Sequence, residues 1–139
     1  DSVEHFDRLV VPHQPKIVVV YAGDNDLAGG KKTPQQVAAD FAAFQKKLRA
    51  AFPETKLIFL SIKPSTARAK LLDKQRQANE LIRQQCSNDK LCTFLNVEKP
   101  MLGTDGQVRP DLFLKDGLHL NEAGYKIWNE LLLPLVKLD

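Results

Sequence analysis

The sequence predicts an α/β protein in which helices pack on a parallel sheet. Strand-length apolar runs alternate with longer amphipathic segments, in the order helix, strand, helix, strand, helix, strand, helix. This alternation is typical of parallel strands joined by right-handed crossovers. The chain has 139 residues, of which 43% are hydrophobic and 27% charged, so we assign residues 1–139 to one globular domain.

The predicted strands are residues 16–22, 56–62 and 92–97, with the sequences KIVVVYA, KLIFLSI and CTFLNV. The first two are continuous apolar runs, which are typical of strands covered on both faces of a parallel sheet. A sheet of three strands is small, and the first predicted helix has no strand before it from which to cross over. The pattern therefore predicts that the N-terminal strands of the fold are missing from this chain.

Amphipathic segments predict the helices. They are residues 2–11, 33–52, 67–86 and a last helix from about residue 121. Thr33, Pro34 and Gln36 form a capping-box pattern at the start of the second helix, and Asn121 is the predicted N-cap of the last. We expect Pro134 to break or kink the last helix. The residues expected to face inward from the last three helices are Val37, Phe41, Phe44, Leu48, Phe52, Leu71, Leu72, Ala78, Leu81, Ile82, Ala123, Ile127, Leu131, Leu132 and Leu135.

The charge distribution argues against a nucleic-acid partner. Residues 40–90 carry 11 Lys and Arg against 5 Asp and Glu, within a net charge of +3 for the whole chain. A nucleic-acid surface would interleave these cations with exposed aromatic rings, but Phe41 and Phe44 fall on an apolar helix stripe. We interpret the basic residues as solvated helix faces. No apolar run reaches the roughly 20 residues that a membrane-spanning helix needs.

Cys86 and Cys92 flank a short polar turn, and the sequence leaves two interpretations open. A disulfide across the turn would place the protein in an oxidising compartment, as an exported protein, whereas two small buried thiols would fit the cytoplasm. The chain has no other cysteine, and no histidine lies nearby, so we predict no zinc site. No other metal or cofactor is predicted.

Polar residues follow each predicted strand, where the crevice of an open α/β sheet holds functional groups. Residues 23–26 (GDND) follow the first strand, residues 63–65 (KPS) the second, and an irregular loop of residues 98–118 the third. Loops of that length in a compact domain are usually functional. The long loop leads to residues 116–119 (DGLH), just before the last helix.

Asp116 and His119 are three residues apart, which allows the carboxylate to reach Nδ1 of the ring and leaves Nε2 as a general base. The alternative is a turn in which Asp116 caps backbone amides and His119 is a surface residue. In GDND, Gly23 would allow a sharp turn, Asn25 would donate to an oxyanion, and Asp26 would anchor the loop. The alternative there is an ordinary tight turn.

Together these residues resemble the SGNH (GDSL-type) esterases. Gly23, Asn25 and Asp26 match the GxND block of that family, Asp116 and His119 match its DxxH block, and the run HLNEAGYKIW is similar to its closing helix. The resemblance implies a three-layer α/β/α, flavodoxin-like fold and hydrolysis of a small acyl or acetyl ester through an acyl-enzyme. It implies His119 as the base, Asp116 as its partner and Asn25 in the oxyanion hole.

The family's first block, Gly-Asp-Ser, is absent from the sequence. The serines are Ser2, Ser61, Ser65 and Ser87, and none lies in a nucleophile-type turn, so we assign no nucleophile in this chain. The resemblance therefore implies that the N-terminal strands are missing and that the chain alone is inactive. It also implies that the edge of the strand at residues 16–22 is covered by a missing N-terminal segment or a second chain.

Two other functions fit parts of the sequence. The first is a non-catalytic carbohydrate- or lipid-binding module, in which GDND and DGLH serve only as hydrogen-bonding groups. The second is a receiver-type phosphoacceptor or magnesium site built from Asp24, Asp26 and Lys63, because carboxylates and a lysine at strand ends suit phosphoryl chemistry. A receiver, however, needs an earlier acidic pair and places its lysine after a later strand.

Overall fold

A computed structural model describes residues 16–21 and 27–136 of the chain. Within these residues the elements are β1 (Ile17–Val20), α1 (Pro34–Ala51), β2 (Lys56–Leu60), α2 (Leu72–Cys86), β3 (Cys92–Leu95) and α3 (Glu122–Val136). The predicted alternation of strands and helices is confirmed over this part of the chain. The helix predicted at residues 2–11 lies outside the described residues, as do Gly23, Asn25 and Asp26.

The sheet has the strand order β1-β2-β3, and both pairs of neighbouring strands are parallel, as predicted. Each strand is shorter than the apolar run that predicts it. Ile62 lies beyond the end of β2 but is fully buried, and its backbone N–H and C=O bond the side-chain amide of Asn79 in α2, at 2.8 and 3.1 Å. The apolar run extends past β2 because, at Ile62, the side chain of Asn79 makes the backbone hydrogen bonds that a neighbouring strand would otherwise make.

Helices cover both faces of the sheet, which gives three layers. On one face, Leu57 and Phe59 of β2 pack with apolar residues of α1 and α2. On the other face, Leu60 packs with the loop after β3 and with α3. Because Leu57, Ile58, Phe59 and Leu60 are all at most 5% exposed, β2 is the covered central strand that its uniform apolar sequence predicts.

The capping box of α1 forms as predicted. The Thr33 hydroxyl accepts a hydrogen bond from the Gln36 amide at 3.1 Å, and the Gln36 side-chain oxygen accepts one from the Thr33 amide at 2.8 Å. The helix ends at Ala51, where the Phe52 amide still donates to the carbonyl of Leu48. The two reciprocal bonds between Thr33 and Gln36 satisfy backbone N–H donors at the start of α1 that have no partner inside the helix.

Three details of the predicted helices are wrong. The third helix does not begin at residue 67: residues 69–71 form a 3-10 turn, and α2 starts at Leu72. Pro134 does not break α3, which continues past it to Val136, the last residue that the structure describes; the kink expected there stays a prediction. Ala123 is exposed rather than inward, and Gly124 is buried in its place.

Gly124 replaces Ala123 at the interface because the first turn of α3 approaches the preceding loop too closely for a side chain. A Cβ atom on Gly124 would lie 2.6 Å from the carbonyl oxygen of Leu112 and 2.8 Å from the Leu120 side chain. The apolar periodicity of the sequence favours alanine over glycine as an inward residue, so this close approach reversed the prediction.

Candidate active site

Asp116 holds both the backbone and the ring of His119. One carboxylate oxygen, Oδ1, accepts hydrogen bonds from the amides of Leu118 and His119 at 2.9 and 3.0 Å. The other, Oδ2, lies 2.5 Å from Nδ1 of the imidazole. The aspartate therefore caps its own turn and also pairs with the histidine ring, whereas the role of His119 as a base stays a prediction.

The electrostatics of this pair favour a charged carboxylate. The hydrogen bond from His119 and the two backbone amides lower the pKa of Asp116 to about 2, so the group is ionised at neutral pH. An ionised carboxylate can only accept, and the proton of the bond therefore belongs to Nδ1. A neutral imidazole that carries its proton on Nδ1 has its lone pair on Nε2, on the opposite side of the ring, which is the arrangement of a general base.

The pair lies on the surface of the described residues. The side chain of His119 is 69% exposed and that of Asp116 is 46% exposed. The loop is nevertheless closed on itself: the Leu114 amide donates to the carbonyl of His119 at 2.8 Å, and the Gly117 amide donates to the carbonyl of Leu114 at 2.9 Å. Backbone bonds thus fix the loop while the ring remains accessible.

Asn121 is the predicted N-cap of α3, and it also holds the loop. Its side-chain oxygen accepts from the Gly124 amide at 3.1 Å, which confirms the cap. Its side-chain nitrogen donates to the carbonyls of Asp111 and Phe113 at 2.8 and 3.2 Å. Asn121 therefore joins the start of α3 to the segment leading into Asp116, a role that the sequence analysis missed.

Aromatic residues lie beside the carboxyl ends of β1 and β2. Tyr21 follows β1, and its hydroxyl is 3.3 Å from Nζ of Lys63, which follows β2 and is only 7% exposed. The ammonium also lies 5.5 Å from the centre of the Tyr21 ring, which packs edge-on against Trp128 of α3. Lys63 thus interacts with an aromatic ring, and Asp24 and Asp26 of the receiver hypothesis lie outside the described residues.

The serines of the described residues are engaged in local hydrogen bonds. Ser61 and Ser65 are buried, and their hydroxyls accept from the amides of Val97 and Arg68 at 2.8 and 3.2 Å. Ser87 donates to the carbonyl of Gln84 at 2.6 Å. None of the three is hydrogen-bonded to His119. Over residues 16–21 and 27–136, no group of three or more His, Cys, Asp or Glu side chains could hold a metal ion.

Cys86 and Cys92 are both free thiols in the structure. Cys86 is buried at the end of α2, and Cys92 is partly buried at the start of β3, where it packs against the same core cluster. The two side chains are hydrogen-bonded to one another, which lowers the pKa of Cys86 and raises that of Cys92. The two thiols are therefore close neighbours. The compartment in which the protein works, which depends on whether they form a disulfide there, stays a prediction.

A three-layer sandwich with a carboxylate–histidine pair just before its last helix fits the SGNH-type fold that the sequence predicts. The chain belongs to the GDSL-like lipase/acylhydrolase family, whose sequence model matches residues 2–127. It is 30% identical over 132 residues to human platelet-activating factor acetylhydrolase IB subunit alpha1, an alignment that covers 91% of this chain and 55% of the human protein. The chain thus spans about half the length of the curated relatives it matches.

Solved structures agree on the fold. A putative acylhydrolase from Bacteroides fragilis superimposes with a TM-score of 0.81 at 19% identity, covering 96% of this chain and 66% of that one. A GDSL-like lipase from Bacteroides thetaiotaomicron gives 0.77 at 24% identity, covering 96% and 67%. The predicted SGNH-type fold is therefore confirmed. In the described part of the chain, no helix is long and apolar enough to span a membrane.

Proposed function

We propose that this chain supplies the general base of an esterase that works through an acyl-enzyme. The observation that carries the proposal is the 2.5 Å hydrogen bond between Asp116 Oδ2 and His119 Nδ1 on an accessible ring. The carboxylate orients the imidazole and stabilises the imidazolium that forms during the reaction. Membership of the lipase/acylhydrolase family supports hydrolysis as the reaction.

In the proposed reaction, Nε2 of His119 removes the proton of a serine hydroxyl as that oxygen attacks the ester carbonyl. The resulting oxyanion receives a hydrogen bond from the side-chain amide of Asn25, on a loop shaped by Gly23 and Asp26. His119 then gives its proton to the departing alcohol, and an acyl-serine ester remains. Water, activated by the same nitrogen, releases the acid and restores the serine.

The proposed substrate is a small acyl or acetyl ester. The name of the human relative, an acetylhydrolase, supports an acetyl group, and the family description supports acyl esters in general. Substrate choice within one fold depends on the shape of the surrounding loops. An ester with a short acyl chain is therefore the appropriate first substrate for an assay.

The nucleophilic serine is proposed to come from a segment outside these residues, on a strand that ends in Gly-Asp-Ser. Two observations support this. The sequence contains no such triplet, and β1 pairs only with β2 among the described strands, which leaves its other edge for a further strand. Val19 of β1 is 41% exposed, and Tyr21, which follows the strand, is 36% exposed. We propose an N-terminal segment as the occupant of this edge.

A serine-reactive fluorophosphonate probe tests the proposal in two steps. The purified 139-residue chain should not be labelled stoichiometrically. A polypeptide that joins it to a strand ending in Gly-Asp-Ser should be labelled and should hydrolyse p-nitrophenyl acetate. Stoichiometric labelling of the short chain would contradict the proposal that the nucleophile lies outside it. A dimer in sedimentation would indicate that a second copy, rather than an N-terminal segment, covers the edge of β1.

Variants of the joined polypeptide test the residue roles. His119→Ala should lower kcat by at least about a thousandfold, and Asn25→Ala by about a hundredfold. Asp116→Asn should lower kcat by up to about ten-thousandfold. Its matched control, Asp105→Asn, should leave kcat unchanged, because Asp105 caps a turn of the same loop through the Gln107 amide but has no histidine partner among the described residues. Binding of glycans or acyl ligands that survives His119→Ala, without hydrolysis, would favour a binding module instead.

A further inference from the structure

The segment after β2 contacts the tip of the loop that carries Asp116 and His119. The carbonyl oxygen of Gly117 accepts hydrogen bonds from the hydroxyl of Thr66 at 3.1 Å and from the amide of Ala67 at 3.0 Å. We call these two donors the carbonyl socket. They lie about fifty residues before Gly117 in sequence, so the contact is a purely tertiary one.

Gly117 fits this contact for two reasons. Its φ of +66° lies in the left-handed region, which side chains other than glycine rarely adopt. A Cβ atom would also lie 2.4 Å from the Thr66 hydroxyl oxygen and 3.3 Å from the Ala67 nitrogen. The absence of a side chain therefore permits both the turn and the close approach of Thr66.

The carbonyl socket is fixed to the rest of the fold on its own side. Asn79 of α2 brackets the backbone of Ile62 through two hydrogen bonds, and Ser65 is buried with its hydroxyl accepting from the Arg68 amide. The first pair of bonds holds Ile62, four residues before Thr66, against α2, and the second closes the turn that contains Thr66. The socket thus connects the loop tip to the irregular segment between β2 and α2, whose start is held by α2.

Among residues 16–21 and 27–136, the hydrogen bonds of Asp116 go to the ring and amides of its own turn, and the side chains of Asp116 and His119 are 46% and 69% exposed. Backbone bonds close this loop on itself and Asn121 joins it to α3, so the socket adds a contact to the segment after β2. The peptide units on either side of Gly117 connect the two residues. Because the socket fixes the Gly117 carbonyl, it also fixes where the turn lies relative to the carboxyl end of β2.

We propose that Thr66 is a positioning residue for the Asp116–His119 pair, acting through the carbonyl of Gly117. It would touch no reacting atom. Its hydroxyl would keep the imidazole in line with the nucleophile and the oxyanion donor at the strand ends. The catalytic part of this inference rests on the proposed function, whereas the ordering of the pair can be measured without any substrate.

The test uses nitrogen-15 NMR of the full 139-residue chain with Thr66→Ala and the rescue variant Thr66→Ser. Thr66→Ala should speed exchange of the His119 Nδ1 proton with water by about threefold or more, because the turn opens more often. Thr66→Ser keeps the hydroxyl and should behave like the parent. Thr104→Ala, an exposed threonine in the same long loop, is the matched control and should change nothing.

Gly117→Ala disturbs the same contact from the loop side and should speed the exchange further. Parent-like exchange in both Thr66→Ala and Gly117→Ala would overturn the proposal. If Thr66→Ala lowers the melting temperature but leaves the exchange of the Nδ1 proton unchanged, the residue is merely structural and the proposal is also overturned. An unfolded Thr66→Ala chain would leave Gly117→Ala and Thr66→Ser to decide, by the same exchange measurement.

An activity measurement separates this proposal from the esterase proposal. In the joined polypeptide, Thr66→Ala should lower kcat about tenfold with KM unchanged, because misplaced catalytic groups slow the chemical step. If the joined polypeptide hydrolyses no ester but the NMR changes occur, the proposed function fails and the positioning of the pair stands. If activity is present and Thr66→Ala alters neither kcat nor exchange, only the positioning role fails.

Discussion

At the scale of single residues, Asp116 uses one carboxylate oxygen for backbone amides and the other for the imidazole of His119. Removing the ring tests how much of the lowering of the Asp116 pKa comes from His119 and how much comes from the backbone amides. In His119→Ala, the pKa of Asp116 should rise from about 2 but stay below its ordinary value, because the amides of residues 118 and 119 still donate. Carbon-13 NMR of the carboxyl group measures this value directly.

Asp105 is the internal control for that measurement. Its carboxylate accepts a hydrogen bond from the Gln107 amide and has no imidazole partner among the described residues, so its carboxyl signal should not change when the ring of His119 is removed. An unchanged pKa of Asp116 in His119→Ala would mean that the 2.5 Å bond does not persist in solution.

Since the folded pKa of Asp116 is lowered, this carboxylate stabilises the fold above about pH 4, the unfolded value, and this contribution disappears as the pH falls through about 2.

Gly124 is a second residue whose role depends on a single close contact. An alanine in a helix normally stabilises by about 0.5–1 kcal/mol relative to glycine. Here Gly124→Ala should destabilise by about 1–3 kcal/mol, because the new methyl group would meet the Leu112 carbonyl and Leu120. Urea denaturation measures the change, and the exposed Lys126→Ala on the same helix should stay within about 0.5 kcal/mol. A stabilised Gly124→Ala chain would contradict this packing.

At the scale of secondary-structure elements, the start of α1 depends on its capping box. Thr33→Ala removes the hydroxyl that accepts from the Gln36 amide and should cost about 1 kcal/mol. Thr33→Ser keeps an acceptor and should lose only a few tenths of that. Chemical denaturation compares the three chains. Equal stability of Thr33→Ala and the parent would show that the cap contributes nothing to the free energy of unfolding.

At the same scale, the local signals in the sequence were sufficient for where α1 begins and ends, since Thr33, Pro34 and Gln36 lie within four positions and Pro53 follows the end. They failed for α2 and for the interface of α3. At the predicted start of α2, Thr66 and Ala67 bond the Gly117 carbonyl instead of beginning a helix, and that contact is not visible in the local sequence.

At the scale of the whole molecule, a partly buried ion pair joins α1 to the turn between α2 and β3. Nε of Arg49 lies 2.7 Å from Asp89, and the two side chains are 22% and 17% exposed. Burial would raise the pKa of Asp89, but hydrogen bonds from Arg49, the Leu91 amide and Gln45 outweigh it, and the pKa is lowered. Arg49 also donates to the carbonyl of Thr55, just before β2.

Replacing this arginine should destabilise the chain in a pH-dependent way. Arg49→Met should cost about 2 kcal/mol at pH 7, because a partly buried carboxylate loses its main partner. Asp89 has a lowered folded pKa, so its contribution is present above about pH 4 and is lost as the pH falls. The difference between the parent and Arg49→Met should therefore shrink at about pH 2.5.

Urea denaturation at the two pH values measures this difference, with the exposed Lys46→Met of the same helix as control. A cost that is equal at both pH values would assign the effect of Arg49→Met to lost packing rather than to charge. The pair spans 40 residues of sequence, and neither its existence nor its partner follows from the periodicity of α1.

The order of the described strands and helices, the parallel sheet and the choice of Asp116 and His119 as a candidate pair all follow from local patterns in the sequence. Each depends on residues close together in the chain: apolar runs, caps and a spacing of three. The tertiary structure decided which residues those elements meet. The socket at Thr66, the bracket of Ile62 by Asn79 and the burial of Gly124 are contacts between distant segments, and steric fit at such contacts leaves no periodic signal in the sequence.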